Sequence, residues 1–136
     1  MKYGITTLAA LALLSLTTPL SAHHAFSAVF DDAHVVTVNG VLTRVEWVNP
    51  HVYFYVDGKA ADKGTTEQHW AFESHPPVAL RHAGLTREML VVGQTVKIEA
   101  FAAKDGQPLA FAKSLQLPDG RIVRIMLDPK QTAAQP

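Results

Sequence analysis

The sequence predicts a mainly β domain, a small five- to six-stranded OB-like barrel with one short helix between strands three and four. Three observations point to it. Apolar residues alternate at period two in several short runs. Glycine-, proline- or aspartate-containing turns separate those runs. One proline-led helical stretch falls between the third run and the fourth. Strand, strand, strand, helix, strand, strand is the order of an OB barrel, and closure removes the edges a small sheet would expose. An open β-sandwich is the competing arrangement.

The chain has 136 residues, enough for one domain. Residues 1–22 read as a cleavable export signal, residues 23–127 as the domain and residues 128–136 as a flexible tail. Lys2 supplies the positive end of the signal, Ile5 to Leu16 its apolar run, and Thr18-Pro19-Leu20-Ser21-Ala22 its cleavage region. The run falls short of the roughly 20 residues a membrane span needs. The expectation is a periplasmic protein with no span after cleavage. Cleavage removes one of 12 basic residues and none of the 12 acidic ones, leaving the mature chain one unit negative. That balance argues against nucleic acid as a partner, because phosphate affinity rests on positive charge. The chain has no cysteine, so disulfides and thiolate metal sites are excluded.

Phe26, Val29 and Phe30 are placed to fasten an N-terminal arm to the core, and Asp31 to His34 reads as a turn. Val35 opens a long first strand in which Asn39-Gly40 is favoured as a glycine bulge over a tight turn. The strand continues through Val41, Val45 and Trp47, which share a parity. Asn49-Pro50 is a corner, since proline fixes its own backbone angle and has no amide proton. Strand two runs from about His51 to Val56, with Val52, Phe54 and Val56 on one face and His51, Tyr53 and Tyr55 on the other. Asp57 to Thr66 reads as a loop. Strand three is Glu67 to Glu73, with Trp70 and Phe72 together. Ser74 or His75 is placed near a helix N-cap, and the helix runs from Pro77 to His82 or Ala83, where Gly84 stops it. Strand four is Thr95 to Ala102. Strand five is Leu109 to Leu117, with Leu109, Phe111, Leu115 and Leu117 in phase. A short last strand covers Ile122 to Met126.

Seven histidines are many for this length, and imidazole suits copper, zinc and nickel. A mature chain starting at His23 offers an amine and a ring nitrogen from one residue. His24, His51 or His75 would complete a copper site, with Glu73 ligating or orienting from behind. A cut after Ser21 would instead place His23 second and His24 third. The plain alternative is that the terminal histidines are polar surface and that His51 braces its corner. Trp47, Tyr53 and Tyr55 are candidates for a ligand or partner surface, with Trp47 equally suited to the core. No nucleophile elbow, cysteine nucleophile or His-Glu-x-x-His helix is present. No catalytic residue is therefore assigned, and the protein is not expected to be an enzyme.

The residues of the mature start, His23-His24-Ala25-Phe26-Ser27-Ala28-Val29-Phe30-Asp31, are followed by Gly40-Val41 and by Glu46-Trp47-Val48-Asn49-Pro50-His51. With Trp70-Ala71-Phe72-Glu73, Ser74-His75-Pro76, Leu90 to Val96 and Asp105-Gly106, the pattern resembles the DUF6152 family of small exported bacterial proteins. The likeness covers about Ala22 to Met126. One departure is His82-Ala83-Gly84-Leu85, where the family pattern has a Gly-Trp pair. The resemblance implies secretion and a paired-histidine start, and it implies no reaction. The expectation is a periplasmic binding protein that holds copper, or less readily zinc or nickel. The alternative is a metal-independent module of the cell envelope that binds a protein or a small ligand.

Overall fold

The computed structural model describes residues 21–126, with side chains from Ala25 onward. Most of the residues read as an export signal, and those read as a C-terminal tail, lie outside the described residues. The chain enters through helix α1 (Ser21–Val29) and passes directly into strand β1 (Phe30–Glu46). β2 (Tyr53–Ala60) and β3 (Gln68–Glu73) follow, then helix α2 (Pro77–His82), then β4 (Thr95–Ala103), β5 (Leu109–Gln116) and β6 (Ile122–Arg124). A single-turn 3₁₀ helix, Arg87–Met89, lies between α2 and β4.

The expected OB-like barrel is corrected. The strands form one six-stranded sheet in the order β3-β2-β1-β4-β5-β6, which ends at the short edge strand β6. Neighbours in that order are antiparallel. The sheet curls far enough for β3 to meet β5, but only through three parallel pairs: Ala71 with Leu109, Phe72 with Ala110 and Glu73 with Phe111. The first half of β3 takes no part in that contact. Strand order along the chain reports which strands follow one another. It does not report how far two distant strands overlap.

β1 serves two neighbours at once, pairing β2 on one side and β4 on the other. It is the long first strand that the alternation predicts, yet its irregularity sits elsewhere. Gly40 pairs in register with Gly58 and with Val96, and the bulge falls between Leu42 and Arg44. Val36, Val38 and Leu42 therefore face the core, while Val41 is 42% exposed. Past the bulge the parity reverses, so Val45 and Trp47 pack against the core. The expected turn at Asp31 to His34 is instead part of β1, where the register with β4 slips between Phe30 and Val35. β2 runs to Ala60, so the expected loop from Asp57 begins four residues late.

The core contains Val52, Phe54 and Val56 from the β2 segment, Trp70 and Phe72 from β3, and Val96, Ile98 and Ala100 from β4. Leu80 of α2, with Leu85 and Leu90 beyond it, closes one part of it. Burying a large aliphatic or aromatic side chain stabilises by about 1.5–3 kcal/mol, which is how a six-residue helix is held in place. The N-cap of α2 is Pro76, and no side chain caps it. The expected capping by Ser74 or His75 is corrected, because Ser74 is buried in the core instead. Gly84, at φ +89, ends the helix in a conformation that side-chain-bearing residues rarely adopt. In β5 a register shift opposite Glu99 and Ala100 splits the expected single phase. Ala110 and Ala112 face inward in its first half, and Leu115 in its second. Phe111 turns to the other face and is covered by Phe26 of α1, their ring centroids 5.2 Å apart.

Candidate functional site

The outward face of β1, β2 and β3 gathers the polar and aromatic side chains. Register sets Glu46 opposite Tyr53 and Arg44 opposite Tyr55. It also sets Tyr53 opposite Glu73, Tyr55 opposite Ala71 and Asp57 opposite His69. The bulge after Leu42 turns Arg44 and Glu46 to this face. Without it they would continue the inward parity of Val38 and Leu42.

Two similar units sit side by side here. In the first, the Arg44 guanidinium lies 3.8 Å above the Tyr55 ring centroid. Its Nη1 is 2.8 Å from Glu46 Oε1, and the Tyr55 hydroxyl donates to Glu46 Oε2 at 3.2 Å. In the second, Tyr53 stands opposite Glu73 on the paired strand, and His51 Nδ1 pairs with Glu73 Oε1. The Tyr53 and Tyr55 rings stack with centroids 6.4 Å apart and planes 24° apart. Burial raises both phenol pKa values, and the adjoining carboxylates, Glu73 for Tyr53 and Glu46 for Tyr55, raise them further. The Glu73 side chain is only 18% exposed, whereas that of His51 is 44% exposed.

His75 follows β3 beside this unit. Its carbonyl accepts a hydrogen bond from the Val52 amide at 3.2 Å, tying the end of β3 to the start of β2. Its ring meets Phe111 edge-on at 5.2 Å. Burial depresses its pKa, and the neighbouring His51 adds to the effect. Further along the sheet, His69 Nδ1 lies 2.6 Å from Asp57, which raises the His69 pKa. His34 pairs with Asp62 at 3.4 Å.

The expected copper site finds no support among the described residues, and its leading member, His23, has its side chain outside them. Among the described residues no three histidine, cysteine, aspartate or glutamate side chains form a group that could hold a metal ion. Their histidines have separate partners instead. His51 is engaged with Glu73, His75 with Phe111, His69 with Asp57 and His34 with Asp62. His23 and His24 belong to α1 by backbone, and their side chains lie outside the described residues. Of the residues expected to form a ligand surface, Tyr53 and Tyr55 stand on this outward face, whereas Trp47 packs against the core. Arg44 and Glu46 carry half of the site; in sequence Glu46 stands out only within the Glu46-to-His51 run, and neither residue is assigned to a site. The Arg-x-Glu and Tyr-x-Tyr alternations are visible signals, but pairing them across strands requires the bulge position.

Residues 10–111 match the model of a family of unknown function, DUF6152. No curated protein matches the chain. Among solved structures there is a likeness to a chain of the crystal structure of a complex of TiaS with an isoleucine tRNA and ATP. It has 17% identity and a TM-score of 0.46, and covers 65% of this chain and 19% of that one.

Proposed function

Since the chain belongs to the DUF6152 family, whose function is unknown, we propose from its own geometry that it is an exported, metal-independent interaction module of the cell envelope. Its binding surface is the outward face of β1, β2 and β3. The observation that carries this reading is the stacked Tyr53–Tyr55 pair, flanked by Glu46 and Glu73 and bordered by Arg44 and His51. Rigid aromatic rings beside fixed charged groups lose little conformational entropy when a partner docks. Because the residues stand on paired strands, their spacing is held by the sheet. The apolar N-terminal run, which ends before the described residues, supports export.

The test is a photo-crosslinking amino acid placed at Tyr55, compared with one at Gly120 in the β5–β6 turn, in cells exporting the full-length chain. A discrete adduct formed from Tyr55 and not from Gly120 supports the reading. Identical adducts from both positions, or none from either, overturn it. Intact mass of the periplasmic product tests export. A chain retained in the cytoplasm with its first residues in place would remove that part of the proposal.

A further inference from the structure

Arg44 shows what this face accepts. Its guanidinium is stacked on one tyrosine ring and paired with one carboxylate, two interactions that suit a planar, donor-only cation. The neighbouring unit repeats the ring and the carboxylate as Tyr53 and Glu73. Among the described residues no cation lies over the Tyr53 ring. A carboxylate offers about four lone-pair sites. His51 occupies one of them, so Glu73 keeps acceptor capacity. The second unit thus presents a π face and a carboxylate, and needs a ligand rich in N–H donors.

We propose that the Tyr53–Glu73–His51 unit is a seat for a guanidinium group, supplied by an arginine side chain of a protein partner. The proposal rests on the interaction-module reading and names the chemistry of its ligand. Arginine is favoured over lysine because the planar fork can stack on Tyr53 while donating to Glu73, as Arg44 does on Tyr55 and Glu46. An ammonium is a point charge that cannot do both as well.

The experiment titrates the exported, full mature chain with N-acetyl-arginine amide, N-acetyl-lysine amide and N-acetyl-citrulline amide, followed by amide NMR. Citrulline keeps the shape of arginine and removes the charge. The expected result is saturable shifts at Tyr53, Ala71 and Glu73 with the arginine probe, weaker ones with lysine and none with citrulline. Glu73→Gln is expected to weaken the arginine probe about tenfold, as loss of a charge-assisted hydrogen bond requires. Tyr53→Leu is expected to weaken it about threefold and serves alone where Glu73→Gln does not fold. Equal binding of arginine and citrulline, or shifts that survive both substitutions, overturns the proposal. If the arginine probe gives no saturable shift while the Tyr55 crosslink persists, the guanidinium seat falls and the interaction module stands.

Discussion

Gly40 and Gly58 face each other across the β1–β2 pairing, and neither position has room for a methyl group. A Cβ on Gly40 would meet the Asp57 carbonyl oxygen and the Gly58 Cα, and one on Gly58 would meet the backbone of Asn39 and Gly40. The nearest obstruction at each position is backbone, which cannot swing aside as a side chain can. Gly40→Ala is expected to lower stability by about 3 kcal/mol, the upper part of the range for overpacking. Urea unfolding checks it, with a fall in midpoint at unchanged slope. A midpoint equal to wild type would mean that the strands separate freely here.

Ser74 is fully buried, and its hydroxyl has no hydrogen-bond partner among the described residues. An unpaired buried hydroxyl costs about 1–3 kcal/mol of desolvation. Ser74→Ala removes the oxygen with little change in volume, and is expected to raise stability by about 1 kcal/mol. Thermal unfolding reads this as a higher Tm. A lower Tm would show that the hydroxyl is satisfied in solution.

Phe26 ties α1 to the sheet through edge contacts with Phe101 and Phe111 and a tilted contact with Phe30. Phe26→Ala is expected to cost about 2 kcal/mol from lost burial and ring contacts. The loss falls on one end of the fold, so the amides of α1 should exchange much faster while those of β2 are unchanged. Uniform loss of protection would instead place Phe26 in the global unfolding unit.

The histidines should titrate apart. His75 is expected below the ordinary histidine range, because burial and then the neighbouring His51 disfavour its charged form. His69 is expected above it, because Asp57 accepts its hydrogen bond and attracts its charge. The stability consequences have opposite signs. The contribution of His75 is present above its unfolded pKa and is lost as pH falls through its folded pKa. That of His69 is present below its unfolded pKa and is lost as pH rises through its folded pKa. The His69 side chain is 91% exposed, so solvent screening keeps its share small. NMR titration of the ring protons checks both, and Asp57→Asn should return His69 to the ordinary range. An unshifted His75 would contradict its burial against Phe111.

Alternation alone located the strands because each side chain either faces the core or does not. Val52, Phe54, Val56, Trp70 and Phe72 were legible for that reason, as was the helix Pro77–His82 between its proline and Gly84. The candidate face was legible only in part. Tyr53 and Tyr55 follow from the parity of β2, and Glu73 from that of β3. Arg44 and Glu46 did not follow, because a bulge reverses parity and its position depends on the partner strand. Trp47 was ambiguous from sequence for the same reason, and packing against the core resolved it.

By itself the sequence determined most of the strands and helix α2, though not α1 or the start of β1. It also determined the absence of thiol chemistry and the membership of the domain in its family. Those depend on local alternation, turn residues and composition. Tertiary structure decided how far β3 overlaps β5, where β1 is irregular, and which histidine meets which partner. These are contacts between residues far apart along the chain. Their geometry is set by strand register and by close approaches such as that of Gly40 to Gly58, which no single stretch of sequence encodes.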